Sequence, residues 1–380
     1  MARSRRACVL AAMVVVAIVA SSGCTLYGWG ANGNGQLGTG FLFPEARPTP
    51  VARNPGWVAA DAGFDQTCAI DEASALWCWG DNSRGQIGVG AAGGSHTMPE
   101  RVGTDNDWTE VSTNVDHTCG IRGAGSLFCW GANSSAQIGD GTTTDRPSPT
   151  AVTGTEWTHV SVGAFYTCGI RAGELHCWGE NGFGAMGIGT QPYSLVPIRV
   201  GVASDWMTVE AGFNHTCGIR SPGYLYCWGY NQDGQVGDGT LVDRNVPTPV
   251  GTGTNWMAVT AGEHTCGIRR LVPTTAGRLW CWGTNDNGQL GDGTKTNRAL
   301  PVVVGTDTDW RAISAGTWTT CGIRASWLAY CWGSNSSGQV GNGAGGTGVD
   351  VVTPTKLPGD DWGLVTVGLN HVLGARNVPD

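Results

Sequence analysis

The sequence predicts an all-β fold, a seven-bladed β-propeller of repeats of about 50 residues. Three observations carry this. Trp-Gly opens seven related stretches: "WGANGNGQLG" at 29, "WGDNSRGQIG" at 79, "WGANSSAQIG" at 130, "WGENGFGAMG" at 178, "WGYNQDGQVG" at 228, "WGTNDNGQLG" at 282 and "WGSNSSGQVG" at 332. A second tryptophan follows each by about 28 residues, at Trp57, Trp108, Trp157, Trp206, Trp256, Trp310 and Trp362. Glycine supplies 62 of 380 residues, which favours turns over helices, and no stretch has helical periodicity.

In chain order the first element is a leader. In "MARSRRACVLAAMVVVAIVASSGC", Arg3, Arg5 and Arg6 precede an apolar run from Val9 to Ala20. That run is too short to cross a hydrocarbon core about 30 Å thick, so residues 1–23 read as a secretory signal peptide and 24–380 as one propeller domain. The segment "SSGC" resembles the lipobox of bacterial lipoproteins, which would make Cys24 a lipidated first residue, although Ser21 stands where that family usually has leucine. Without the leader the chain holds 19 basic and 30 acidic residues, a net charge of about −11. Such a surface offers a phosphate backbone no counterion release, and the only basic cluster is Arg269 with Arg270, so nucleic acid is not an expected partner.

Within each repeat, stretches such as "WMTVEAG", "HTCGIR", "LYCWG" and "VPTPV" are short, rich in Val, Ile, Tyr and Trp, and bounded by Gly, Asn, Asp and Pro. These are four strands per unit. The Asn, Gly and Gln of each Trp-Gly loop, such as Asn231, Gly234 and Gln235, fit a turn in which glycine supplies positive φ and the amides satisfy buried backbone.

Cysteines flank one hairpin turn per repeat: Cys68 and Cys78, Cys119 and Cys129, Cys168 and Cys177, Cys217 and Cys227, Cys266 and Cys281, Cys321 and Cys331. Opposed positions of an antiparallel pair suit a disulfide, and an exported chain meets an oxidising compartment, so six intra-blade disulfides are expected, each worth about 3 kcal/mol in the chain-entropy model. The spacing is too wide for a structural zinc site. In the last copy, "NHVLGAR", Leu373 replaces the first cysteine, and in the first copy Gly28 replaces the second. The double absence predicts ring closure by pairing the N-terminal strand around Leu26–Trp29 with the C-terminal hairpin around Val372–Arg376, and leaves Cys24 outside the six pairs.

The repeated "HTCGIR…CWGxNxxGQxGxG" pattern resembles the RCC1-repeat family, over residues 25–380. The resemblance implies a seven-bladed propeller. It implies no single function, since that family includes nucleotide exchange factors, receptors and secreted inhibitors.

No nucleophile with a base and orienting acid, no paired carboxylates set apart from the repeat and no metal cluster stands out, so no enzyme, cofactor or catalytic residue is expected. His117, His215, His264 and His371, with Gln66, Tyr166 and Thr319 at the same place in other repeats, are read as structural links within or between blades. Asp140, Asp238 and Asp292 in the "GDGT" loops depart from the EF-hand spacing and are read as turn residues bonding backbone amides, with a weak calcium site as the alternative. Aromatics off the repeat positions (Phe41, Phe43, Phe165, Phe183, Tyr193, Trp318 and Trp327) are candidate anchors for a ligand. The expected function is a monomeric, non-enzymatic scaffold in the cell envelope or secreted, binding a protein or a surface glycan and touching a membrane only through a lipid at Cys24. Alternatives are a guanine-nucleotide exchange factor or GTPase regulator, as the resemblance implies, and an inhibitor of a secreted or periplasmic enzyme.

Overall fold

The computed structural model describes residues 24–270, 276–346 and 349–376. The proposed signal peptide, 1–23, lies outside them. Each blade is a four-stranded antiparallel sheet, for example Trp206–Ala211, His215–Arg220, Tyr224–Gly229 and Arg244–Pro249. The second strand, "HTCGIR", is buried over its first five residues because blades pack on both of its faces. The fourth strands carry prolines, as in "RPSPTA" and "RNVPTP", which only an edge without an outer partner tolerates. Five sheets are single blades, and one eight-stranded sheet comprises two, joined by the lone pair Gly277↔Trp310.

The seventh blade is made from both chain ends. Thr25–Gly30 pairs with His371–Arg376 from Thr25↔Arg376 to Gly30↔His371, flanked by Glu45–Pro50 and Trp362–Val367. Gly28 lies opposite Leu373, the register at which the other six blades place Cys opposite Cys. The six expected disulfides are present, with Cα atoms 4.1 Å apart, slightly closer than the usual lower limit of about 4.4 Å and consistent with a non-hydrogen-bonded pair. Their sulfurs join the cores.

Each core lies between successive blades. Cys119, Ile121, Leu127 and Cys129 of one blade pack on Trp157, Val160 and Trp178 of the next. The tryptophan before each Trp-Gly glycine meets the first-strand tryptophan of its own blade, edge to face in six blades, as for Trp157 and Trp178 at 5.7 Å, and tilted for Trp57 and Trp79. Its indole N–H then crosses to the preceding blade's loop. Trp178 Nε1 donates to the Gln137 carbonyl at 2.9 Å, and Thr167 Oγ1 donates to the same oxygen at 2.8 Å. The latch recurs around the ring and closes it, Trp29 Nε1 donating to Gln339 O at 2.9 Å. The last glycine of each "GQxG" makes room for that indole: a Cβ on Gly139, whose φ is +76°, would lie 2.5 Å from Trp178 Nε1.

Candidate functional site

The loops between first and second strands and between third and fourth strands all emerge at one end of the blades, here the upper face. The other end carries the hairpins between second and third strands. The seven first strands surround the axis and line a cavity of about 110 Å³ near the upper face. Four residues after each first-strand tryptophan, one side chain points into it: Asp61, Ser112, Ser161, Glu210, Thr260, Ser314 and Thr366.

Six of these seven form a hydrogen-bonded hoop, each accepting the backbone N–H of the next blade. Thr113 N donates to Asp61 at 2.8 Å, Val162 N to Ser112 at 3.1 Å and Ala211 N to Ser161 at 2.9 Å. Ala315 N donates to Thr260 at 3.0 Å, Val367 N to Ser314 at 3.1 Å and Ala62 N to Thr366 at 3.3 Å. Thr366 Oγ1 also donates to Asp61 at 2.9 Å. Glu210 is the exception. Its longer side chain takes no such bond, and its carboxylate accepts no hydrogen bond from another described residue.

The channel wall is charged. His159 Nδ1 lies 2.6 Å from Glu110 Oε1, and His159 Nε2 2.8 Å from the Val209 carbonyl, so both ring nitrogens face acceptors. Burial opposes the imidazolium, yet Glu110, Glu210 and the Val209 carbonyl together raise the His159 pKa to about 9. Burial pushes Asp61 up to about 6 against its hydrogen bonds from Thr113, Thr366 and Ala62. It pushes Glu210 up to about 8, a rise that His159 lessens and that Asp61 and Glu110 add to.

Carboxylates also form an acidic rim on the upper-face loops. Burial raises Asp65 and Asp116, and Asp81 raises both further; burial with Asp233 nearby raises Glu263 to about 7. Arg84 reaches into this rim, 3.3 Å from Asp145. Among the candidate aromatics, Phe41 is 65% exposed, Phe43 73%, Tyr193 57% and Phe183 44%. These, with the exposed Phe165 and Trp318, belong to upper-face loops or the strand starts beside them. Phe165 meets Phe213, and Phe183 meets Tyr230. Trp327 is different: it is half-buried in a lower-face hairpin at φ +61°, with Arg311 over its ring at 4.9 Å.

The histidines link blades as expected. His117, His215 and His264 Nε2 lie 2.9, 2.7 and 2.6 Å from Thr167, Thr265 and Thr320, and His371 3.1 Å from Thr67. Tyr166 makes the same link to Thr216, whereas Gln66 reaches Thr113 and Thr319 bonds Ser334 within its own blade. Asp140 accepts Thr142 N at 3.0 Å and Arg146 Nε at 2.7 Å, and Asp238 and Asp292 repeat this turn. Cys24 is 4% exposed at the lower rim, its carbonyl accepting Trp57 N–H; it packs with Leu26 and Trp57, and no described cysteine is a free thiol. The sequence reading missed Asp61, Glu110, His159 and Glu210. Their signal was there, a charged residue where other repeats place Ser, Thr, Ala or Leu.

Known proteins share this architecture. The chain is 28% identical over 331 residues to the ultraviolet-B receptor UVR8 of Arabidopsis thaliana, covering 84% of this chain and 74% of that protein. The crystal structure of Prp20p from Saccharomyces cerevisiae, described with its binding properties to Gsp1p and histones, superposes with a TM-score of 0.82 at 19% identity, over 95% of this chain and 93% of that one. Human WBSCR16 gives 0.82 at 18% identity, over 94% and 99%. At those identities the structures speak to the fold. A profile of the RCC1-like domain matches residues 25–374, nearly the whole described ring, and the chain therefore belongs to the RCC1-like domain family of seven-bladed β-propellers.

Proposed function

We propose that this chain is a non-enzymatic scaffold of an oxidising, exported compartment that binds a protein partner on its upper face. One observation carries the reading: among the described residues, six of the seven exposed aromatics (all but Tyr224, at a lower-face hairpin) gather on that face, above a rim of carboxylates, while the repeat residues are consumed by latches between blades. Large aromatics beside charge are what a specific interface uses as anchors. The six buried disulfides suit an oxidising environment, and no helix among the described residues is long and apolar enough to cross a membrane.

Cleavage ahead of Cys24 and acylation of its sulfur are the finer part of the proposal. They require that sulfur to be released from the disulfide it forms here and to leave its contacts with Leu26 and Trp57, and an anchor at the lower rim turns the upper face away from the bilayer. The protein works as a monomer in this reading. Capture from envelope extract by wild type, by Phe165→Ser/Trp318→Ser and by the lower-face control Arg311→Ser tests it. A specific protein lost only with the upper-face pair supports the proposal. Capture of glycan alone, equal capture by all three, or accelerated nucleotide release from a GTPase panel overturns it.

A further inference from the structure

The axial cavity is the one part of the upper face whose chemistry is specific enough to select a ligand. Phe64 and Phe213 stand at its opening, and its wall is mostly polar, because Val162, Ala211 and Val367 contribute backbone there and turn their side chains into the cores between blades. Deeper in stand Glu210 and Asp61, among the hoop hydroxyls. A small cavity lined with oxygen acceptors and entered past two aromatic rings matches a cationic tip on a long aliphatic stem. Three points narrow the ligand. No group of three or more His, Cys, Asp or Glu among the described residues is arranged to hold a metal ion. The acceptors converge from several strands around an axis, which suits the compact three-donor ammonium of lysine better than the flat fork of arginine. The acidic rim of Asp65, Asp116 and Glu263 favours a positively charged approach.

A second, independent observation is the broken hoop. Six repeats spend this position on a blade-to-blade hydrogen bond with Ser, Thr or Asp, and only Glu210 gives it up, placing a carboxylate without a described hydrogen-bond partner in the cavity. A Ser or Thr there would complete the hoop, so the architecture does not require the carboxylate.

We propose that the axial cavity receives one lysine side chain from a basic segment of the protein partner, its ammonium between Glu210 and Asp61 and its methylenes passing Phe64 and Phe213. This rests on the upper-face reading and names its partner class. Seating the ammonium draws the proton off Glu210, which at neutral pH is mostly protonated in the empty channel. The other groups facing it hold steady, His159 as imidazolium paired with Glu110 and Asp61 ionised above about pH 6. Affinity therefore rises by up to tenfold per pH unit between pH 6 and 7.5.

The test uses the full chain and a fluorescent, N-acetylated peptide amide, Gly-Ser-Gly-Lys-Gly-Ser, with Nε-acetyl-lysine and norleucine counterparts and n-butylammonium as the free amine. The expected result is saturable binding of the lysine peptide, at least tenfold weaker for both counterparts and for Glu210→Thr, with the stated pH dependence. Glu210→Thr completes the hoop and keeps the fold, which circular dichroism checks. Binding indifferent to the ammonium, to Glu210→Thr or to pH overturns the inference, as does n-butylammonium matching the peptide, which would make the cavity a site for free amines. Partner capture that is lost with Phe165→Ser/Trp318→Ser yet unchanged in Glu210→Thr sinks the lysine site alone. Capture indifferent to every upper-face change sinks the parent reading.

Discussion

Gly139 and its equivalents show how single atoms hold the ring. Gly139→Ala places a methyl against the Trp178 indole at positive φ, and overpacking of this kind costs about 1–3 kcal/mol, which urea unfolding will show as a lowered midpoint at unchanged slope. The four linking histidines set the acid limit. Burial lowers each to about 3 from an ordinary value near 6.5, so their contribution is complete above pH 6.5 and is lost as pH falls towards 3. At 1.36 kcal/mol per pH unit this is about 2 kcal/mol per imidazole at pH 5. His215→Gln, which copies the amide that another blade carries at Gln66, flattens the decline between pH 7 and 5. Glu210 acts at the other end: its raised pKa leaves its contribution intact below about 4.5 and lost as pH rises through 8, so Glu210→Gln gains stability over wild type at pH 9 and not at pH 4. Cysteine pairs and latch tryptophans were legible from spacing. Glu210 was not, because counting alternate residues from Trp206 puts it on the core side; the register shift between Trp206 and Thr208 reverses the phase and turns it to the axis.

The blade is the element that the sequence repeat describes imperfectly. A unit counted from Trp-Gly to Trp-Gly straddles two blades, because the Trp-Gly loop and the proline strand finish one sheet before the next tryptophan starts another. Closure was nevertheless legible, since Gly28 and Leu373 lost their cysteines together and now face each other. Gly28→Cys/Leu373→Cys places a seventh disulfide at this register, joining chain ends some 345 residues apart. The chain-entropy model gives about 6 kcal/mol for such a loop, less any strain from the Gly28 methylene against the Leu37 backbone. The expected outcome is a raised Tm for the oxidised double variant only, erased by reductant. Trp327 was misplaced among the anchors because a sequence shows that an aromatic is off-pattern and not which end of the blade it occupies.

For the whole molecule, intact-mass spectrometry of protein from its native source tests compartment and chemistry together. Twelve of the described thiols are expected to appear only after reduction, on a chain beginning at Cys24 with a lipid-sized increment. A full-length chain with free thiols would remove the export proposal and restore the GTPase-regulator alternative. Fold and disulfides could be read from repetition because every blade repeats the same physical problem, whereas the binding face depends on where the repeats differ, and those differences acquire meaning only once seven strands meet on one axis. The seam in the seventh blade also sets how the ring assembles. A chain emerging from its N-terminus presents Thr25–Gly30 as an unpaired edge through the folding of six blades, until the last strand arrives. The same strand on a neighbouring molecule offers an identical partner, so monomer yield becomes a kinetic race between the effective concentration of the chain's own end and the concentration of its neighbours, with strand-swapped dimers as the losing product.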